Sequence, residues 1–366
     1  MPRATPPNDI QAATHSYETW LGQHLTLLEP DLQLKHQQMA QSVSAFLRAS
    51  FYRFMQLWFS GAGDLARAPL VLAVGDLHLE NFGTWRDAEG RLVWGVNDFD
   101  EAYPLPYTVD LLRLVVSAGA ARREGVLKIS LEDAAEAVLS GYQAGLSAGG
   151  LPFVLEEQHS WLRELTGKSK DPARFWAKLI ALTPLERPLD ASLEALLREV
   201  LPAGAKARFA HRVAGLGSLG RVRVVAMTEW QGGWLAREAK ALAPSAAVWA
   251  AGLENAGPLC YADLLARAVR SADPTVQIVG QAGQSYVVRR LSPSSRRLNL
   301  LDLPRGCDEA QLLEAMGFET ANIHLGTPGG VSATQADLQV RAKGWLLEGA
   351  AHFLEETLED WQVWKG

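Results

Sequence analysis

Three side chains that carry oxygen ligands stand at the ends of two short apolar runs. Asp76 and Asn81 lie five residues apart in V-G-D-L-H-L-E-N-F-G (74–83), and Asp98 follows the run Leu92–Val96. Kinase-type phosphoryl transfer uses such a set, in which one carboxylate orients or deprotonates the attacking group while an amide oxygen and a second carboxylate hold Mg²⁺. Mg²⁺ prefers oxygen ligands. The alternative is a pair of polar turns, because Asp, Asn and Gly favour turns.

Further polar residues flank this set. His78 is expected to support the loop or to contact substrate, and a structural hydrogen bond from its ring is the favoured role. Asp100 and Glu101 add carboxylates beside Asp98. They could bind a second metal ion or a cationic substrate, but the favoured interpretation is a solvated loop.

A glycine-rich segment lies much further along the chain. Residues 215–220 read G-L-G-S-L-G, and the alternating sequence R-V-R-V-V-A-M follows directly. A dinucleotide site would need a helix there. A glycine loop between antiparallel strands instead favours backbone N–H groups of Gly215, Gly217, Ser218 and Gly220 covering phosphates. An ordinary tight hairpin is the alternative.

A kinase site also needs a basic residue on the third strand and an acid on the next helix to orient it. The segment W-L-A-R-E-A-K offers Lys240 and Arg237, and the following helix offers Asp263. Arginine can bind phosphate through its planar fork. Both basic residues therefore remain candidates for the phosphate contact, with Asp263 as the acidic partner.

Apolar spacing predicts the elements that carry these residues. Helical spacing occurs in seven segments, at 16–60, 107–158, 174–181, 191–201, 260–270, 308–325 and 333–361. Strands are predicted at 69–74, 92–96, 212–217, 221–227, 234–240, 276–279 and 285–291. We expect an α+β fold in which 1–205 forms most of a helical lobe, 206–292 a β-rich nucleotide-binding lobe, and 293–366 helices that complete the first lobe.

The segment 74–100 resembles the catalytic region of the aminoglycoside phosphotransferase and choline kinase branch of the protein-kinase-like superfamily. That branch has G-D-x-H-x-x-N and then a strand ending in D-F or D-W. The resemblance implies a catalytic aspartate at Asp76 and metal ligands at Asn81 and Asp98, and Asp110 in T-V-D-L-L-R-L matches a further aspartate of the branch. Val74 stands where the branch often has His.

The order of these parts resembles a circularly permuted kinase. The glycine loop follows the catalytic loop by about 140 residues, whereas in ordinary kinases it precedes it. The segment 286–291, Y-V-V-R-R-L, resembles the link between lobes, and 312–326 resembles the helix that enters the catalytic loop, with His324 at its end. Permutation requires that the old termini lie close together. We therefore expect the helix ending at His324 to finish beside the strand at Val71.

The chain from 35 to 324 also resembles a bacterial domain-of-unknown-function family, number twenty-two fifty-two. The matching motifs are K-H-Q-Q-M-A-Q-S-V-S-A-F-L-R, G-D-L-H-L-E-N-F-G, N-D-F-D-E-A, V-D-L-L-R-L, G-L-G-S-L-G-R and R-E-A-K with P-S. The family pattern has K-E-A where this chain has Arg237. The resemblance implies a fold and a site, not a substrate.

Composition limits the partners. The net charge of −6 does not indicate a nucleic-acid-binding face. The basic pairs at 221 and 223, 289 and 290, and 296 and 297 are interpreted as solvated strand faces or turns. Cys260 and Cys307 lack metal spacing and are typical of reduced thiols in a cytoplasmic protein. No apolar run reaches membrane-spanning length, and the first residues lack a signal-peptide core.

These features predict an ATP- and Mg²⁺-dependent phosphotransferase acting on a hydroxyl of a small molecule. The resembling branch has cationic substrates, which favour acidic pockets. Two alternatives remain, namely transfer of AMP by a kinase-like fold and a nucleotide-binding pseudokinase that serves as an interaction module. The sequence does not assign the acceptor or the oligomeric state.

Overall fold

The computed structural model describes residues 9–156, 158–166, 171–185, 188–255, 257–304 and 306–366. Within these residues the α-helices are α1 Ile10–Leu21, α2 Glu29–Gln41, α3 Val43–Ala49, α4 Phe51–Gly61, α5 Thr108–Arg123, α6 Leu131–Ala148, α7 Ser160–Thr166, α8 Pro172–Ile180, α9 Ala191–Glu199, α10 Ala246–Ala250, α11 Tyr261–Arg267, α12 Glu309–His324, α13 Gly330–Val340 and α14 Trp345–Lys365. The predicted helical segments overlap all of these except α7 and α10, although the predicted ends differ by several residues at α1, α13 and α14.

Eleven strands lie in the described residues, namely β1 Leu70–Ala73, β2 Phe82–Arg86, β3 Leu92–Val96, β4 Tyr103–Pro106, β5 Phe153–Val154, β6 Arg208–His211, β7 Arg223–Trp230, β8 Gly233–Leu242, β9 Gln277–Gln281, β10 Gln284–Arg290 and β11 Arg296–Arg297. They form sheets of order β1-β4, β11-β2-β3-β5 and β6-β7-β8-β10-β9. The fold is therefore α+β with antiparallel pairing throughout.

The helical body is built around α5, whose residues from Thr108 to Ala121 are all buried. The C-terminal α12 packs against α6, and glycines make the close approach possible. A Cβ atom on Gly141 would lie 1.8 Å from the carbonyl oxygen of Glu314, and one on Gly317 would lie 2.1 Å from that of Val138. The last part of the chain thus completes the body that its first part begins.

The five-stranded sheet holds the predicted β-rich lobe, and both of its faces are covered. Leu193, Leu196 and Leu197 of α9 pack with Val224 on one face. Phe175, Trp176 and Leu179 of α8 pack against Val225 and Met227 on the other face. Because neighbouring strand residues point to opposite faces, α8 and α9 sandwich the sheet. The helices α8 and α9, which lie within the segment 1–205 that we assigned to the helical lobe, therefore pack on the sheet of the β-rich lobe.

The helix α12 ends beside β1, as the sequence predicted. The hydroxyl of Thr327, three residues beyond the helix, accepts a hydrogen bond from the backbone N–H of Leu72 at 2.8 Å. The end of α12 and the strand that leads to Asp76 are thus neighbours in space although they are far apart in the chain. Among the described residues, we find no helix with the length and apolarity needed to cross a membrane.

Candidate functional site

Asp76 lies just after β1, on a turn that only glycine can form. Gly75 has φ +82°, and a Cβ atom there would lie 2.4 Å from the carbonyl oxygen of Glu101. The carboxylate of Asp110 accepts the backbone N–H groups of Val74 and Gly75 at 2.7 and 2.9 Å. The first turn of α5 therefore fixes the backbone that presents Asp76.

A histidine supports the same turn from α12. His324 Nε2 lies 3.0 Å from Asp110 Oδ2, and its Nδ1 lies 2.8 Å from the hydroxyl of Tyr142. All three side chains are buried. The backbone at Val74 is thus held by Asp110, and His324 holds Asp110 in place.

The Asp76 carboxylate has one bonded and one free oxygen. Arg113 donates from Nε and Nη2 to Oδ1, whereas no described residue donates a hydrogen bond to Oδ2. Burial raises the pKa of the Asp76 carboxyl and the Arg113 guanidinium opposes that rise. The free Oδ2 is the atom that can accept a proton.

Asn81 is held so that its amide oxygen stays free. It ends a short 3₁₀ turn after His78, and its Nδ2 donates to the carbonyl oxygens of Asp76 and Asp98 at 3.1 and 3.0 Å. Its Oδ1 is buried and has no partner among the described residues. The amide therefore ties the two aspartate-bearing loops together and leaves an oxygen available for a ligand.

Asp98 and Asp100 share one ammonium group. Lys240 Nζ lies 2.9 Å from Asp98 Oδ1 and 2.6 Å from Asp100 Oδ2. Burial would raise the pKa of the Asp98 carboxyl, but the charges of Lys240, Arg289 and Arg297 outweigh it and hold that pKa far below its usual range. Burial and the neighbouring Asp98 raise the pKa of Asp100. Asp98 thus has the lower pKa of the two carboxyls.

Of the two basic candidates on β8, the structure brings Lys240 into the site. Arg237 stands three residues earlier on the strand and therefore points to the opposite face. It is half-buried near Arg290 and Asp273. Asp263 is exposed on α11, and the acidic partners of Lys240 are Asp98 and Asp100. Asp263 as the partner of Lys240 is therefore wrong.

The glycine loop joins β6 to β7 and lies directly over Asp76. Gly215 and Gly220 have φ +78° and +95°. A Cβ atom on Gly217 would lie 2.9 Å from the carbonyl oxygen of Arg48 and 3.4 Å from Asp76 Oδ2. Ser218 accepts a hydrogen bond from Arg223 Nη2 at 2.7 Å. The loop thus packs between the N-terminal helices and the candidate catalytic aspartate.

His78 lines the same cavity but makes no structural hydrogen bond through Nδ1. The residue is buried, and this nitrogen has no partner among the described residues. Burial and the nearby Arg48 and Arg113 lower the pKa of His78 well below its usual value. The expected structural hydrogen bond is not seen at Nδ1, and a neutral imidazole faces the site.

The interpretation of Asp100, Glu101 and the Arg221 pair as solvated is wrong. Glu101 is 8% exposed and Arg221 is 4% exposed. Arg221 Nη2 lies 3.1 Å from Glu101 Oε1, and the other carboxylate oxygen accepts the N–H of Ala246. Pairing explains how these charges can be buried. Sequence gives no sign of such pairing, because the partners are about 120 residues apart.

Lys35 is a site residue that sequence reasoning missed. It is 3% exposed on α2 and lines the cavity that contains Asp76. Its ammonium group lies 5.7 Å from the ring centroid of Tyr52 and forms no ion pair with the described residues. Burial lowers its pKa to about 8. A lysine at the start of the K-H-Q-Q-M motif was the available signal.

The cavity itself is narrow, at about 50 Å³. The oxygens that could hold Mg²⁺ are those of Asp98 and the unpartnered Oδ1 atoms of Asn81 and Asp100. The described residues contain no group of three or more His, Cys, Asp or Glu side chains arranged for a metal ion. Mg²⁺ fits such an open set, because it is often bound by one or two carboxylates together with phosphate oxygens and waters.

Comparison with known proteins supports the second resemblance over part of the chain. Residues 27–162 match the model of a family described as "Uncharacterized protein conserved in bacteria (DUF2252)". The matched segment carries Lys35, Asp76, Asn81 and Asp98, whereas the glycine loop and Lys240 lie beyond it. No curated protein and no solved structure matches the chain.

Proposed function

We propose that the protein is an ATP- and Mg²⁺-dependent phosphotransferase with a hydroxyl-bearing acceptor. One observation carries the proposal. Gly217 lies against Asp76, and Lys240 pairs with Asp98, although the two halves of the site are about 140 residues apart in the chain. Two unrelated polar turns do not explain why a glycine loop and a lysine from a distant part of the chain contact these two aspartates.

The permuted kinase arrangement belongs to the same proposal. The glycine loop joins the first two strands of the five-stranded sheet, Lys240 lies on the third, and helices α10 and α11 follow before the last two strands. This is the order of phosphate-binding parts in a kinase lobe. The contact between the end of α12 and β1 supplies the join that permutation requires.

In this mechanism Asp76 Oδ2 accepts the proton of the acceptor hydroxyl. The hydroxyl oxygen bonds to the γ-phosphorus, the bond from that phosphorus to the bridging oxygen breaks, and ADP leaves. Arg113 orients the carboxylate through Oδ1. Backbone N–H groups of the glycine loop cover the phosphates, and Lys240 exchanges its carboxylate partners for phosphate oxygens. Mg²⁺, held by Asn81 and Asp98, would neutralise charge on the phosphates.

The cationic acceptor favoured by the resemblance has little support in this cavity. Asp98 and Asp100 are paired with Lys240, and Glu101 is paired with Arg221. Paired carboxylates do not attract a further cation strongly, because their charge is already compensated. The carboxylates of this cavity therefore do not indicate a cationic acceptor.

Titration calorimetry with ATP, with and without Mg²⁺, tests the proposal. We expect binding that depends on Mg²⁺ and is weakened at least about tenfold by Asp98→Ala, since Asp98 would hold the metal that neutralises the phosphate charge. Asp263→Ala, an exposed aspartate of the same lobe, is the matched control and should bind like wild type. Equal affinity in Asp98→Ala and wild type would remove Asp98 from the site.

Label transfer then separates the two enzymatic functions. ATP labelled at the γ-phosphate should mark the product, whereas label that enters product from the α-phosphate would establish AMP transfer instead. Binding without any turnover on a panel of acceptors would favour the pseudokinase. The absence of ATP binding would overturn all three.

A further inference from the structure

A second cavity of about 300 Å³ lies on the other side of Gly215 and Arg297, which line both cavities. Its volume is within the range of small-molecule sites. Seven arginines line it, together with a single acidic residue, Asp273. Four of the basic residues that the sequence suggested were solvated lie here on β10 and β11. Such a concentration of guanidinium groups requires a physical explanation.

The carboxylates around this cavity do not balance the arginines. Glu238 is fully buried and binds three of them, Arg212, Arg223 and Arg289. Asp273 lies 4.0 Å from Arg290, at the limit of an ion pair. A third carboxylate, Asp98, is 3.8 Å from Arg297 and is already bound to Lys240. The buried carboxylate of Glu319 acts on Arg270. Six guanidinium groups therefore share four carboxylates.

Several guanidinium N–H groups here have no hydrogen-bond acceptor. Nε and Nη1 of Arg270 and Nε of Arg290 are buried and have no partner among the described residues. Aromatic rings fix Arg270 in place, with the guanidinium 4.5 Å from the ring centroid of Trp85 and 5.0 Å from that of Phe99. A buried charged donor without a partner is costly. Because the two rings hold the Arg270 guanidinium in place, its N–H groups stay without an acceptor until a ligand supplies one.

We propose that this cavity binds a small molecule that carries two or more phosphate groups. Guanidinium groups match phosphate in both charge and planar geometry. One anionic group cannot contact Arg270, Arg290 and Arg297 together with the Glu238-bound arginines, whereas a molecule with several can. Phosphate is favoured over carboxylate because each phosphate offers three acceptor oxygens and up to two charges. The proposal holds whether or not the Asp76 site transfers phosphate.

Tripolyphosphate, measured by titration calorimetry in EDTA, is the test probe. Without Mg²⁺ the Asp98 site cannot contribute its metal-dependent binding, so failure of this proposal and failure of the proposed function are distinguishable. We expect binding that Arg270→Gln and Arg290→Gln each weaken about 10- to 100-fold, as for loss of a charged hydrogen bond. Arg67→Gln, an exposed arginine elsewhere, is the matched control. Thermal unfolding of each variant verifies its fold.

The results have opposite meanings. Tripolyphosphate binding that is weakened in both variants, with orthophosphate at equal ionic strength much weaker, supports the proposal. No binding, unchanged binding in the two variants, or equal binding of orthophosphate overturns it. Addition of ATP and Mg²⁺ then identifies the source of the phosphates. Simultaneous binding assigns the cavity to a phosphorylated second substrate, and displacement assigns it to the phosphates of the nucleotide.

Discussion

Two cavities meet at Gly215 and Arg297, and they differ in how charge is compensated. Around Asp76 every carboxylate contacts a cation, with Arg113 on Asp76, Lys240 shared by Asp98 and Asp100, and Arg221 on Glu101. In the neighbouring cavity three arginines share Glu238, and others have N–H groups with no partner among the described residues. Charge is therefore compensated within the first cavity, whereas the second has an excess of positive charge.

Lys35 is the one exception to charge pairing among the described residues of the cavity around Asp76. It is a buried cation that forms no ion pair with the described residues, whereas Asp76, Asp98, Asp100 and Glu101 are all paired. Such a residue costs stability, and proteins tolerate that cost mainly at functional sites. Its position beside Asp76 suits a group that contacts a phosphate oxygen or the acceptor when they are bound.

The largest expected effect separates the roles of Asp76 and Asp98. Asp76→Asn keeps the shape of the side chain but removes the proton-accepting charge, so turnover should fall about 10²- to 10⁴-fold with nearly unchanged ATP affinity. Slow ATP hydrolysis is the first assay, followed by phosphoryl transfer once an acceptor is known. Wild-type turnover in this variant would show that Asp76 is not the proton acceptor.

Glu238 should prove structural, in contrast to Asp98. Glu238→Gln leaves Arg212, Arg223 and Arg289 without their shared carboxylate and should lower the free energy of unfolding by about 3–5 kcal/mol, because Glu238 and Arg223 are buried. Urea denaturation measures this loss, and tripolyphosphate should restore part of it by supplying the missing charge. Glu194→Gln, which breaks an exposed pair with Arg198, is the control and should cost under about 1 kcal/mol. A loss as small as the control's would contradict the role of Glu238.

Lys35 gives a stability effect of the opposite sign. Its pKa is about 8 in the folded protein and 10.5 in its ordinary state, so the unfolded chain binds the proton more tightly. Wild-type stability should therefore rise between pH 8 and pH 10.5, and Lys35→Met should remove that rise. At pH 7 the variant should be more stable by about 3 kcal/mol.

Chemical denaturation at pH 7 and pH 10 measures the Lys35 effect. Lys343→Met, at an exposed position, should change neither the stability nor its pH dependence. A destabilised Lys35→Met variant at pH 7 would mean that the ammonium group is stabilised in the folded protein, contrary to its isolated position.

The smallest expected effect lies at the boundary of the two cavities. Ser218→Ala removes the acceptor for Arg223 Nη2, a bond of 2.7 Å, and should cost about 1 kcal/mol of stability. The freed guanidinium should leave tripolyphosphate binding equal to or tighter than in wild type. Weaker binding of the probe would show that the serine contacts the ligand, and calorimetry decides between the two.

Local sequence predicted the elements better than it predicted their partners. The runs at β1 and β3 and the helices α12 and α14 follow from apolar spacing, which acts within one element. The short strands β4, β5 and β11 were not predicted from the sequence, because they form only by pairing with distant strands. The packing of α8 and α9 on the five-stranded sheet, rather than on the helical body, likewise depended on contacts that no local pattern encodes.

The sequence by itself determined which residue types could do the chemistry, because Asp76, Asn81, Asp98 and the glycine loop stand in motifs whose spacing is local. Only the tertiary structure decided which charged side chains lie close enough to form pairs. It selected Lys240 over Arg237 by strand alternation, replaced Asp263 by Asp98 and Asp100 as its partner, and buried Arg221 and Arg223, which the sequence suggested were solvated. The physical reason is that Coulomb energy and desolvation depend on distance and burial, and both arise when segments that are far apart in the chain fold together.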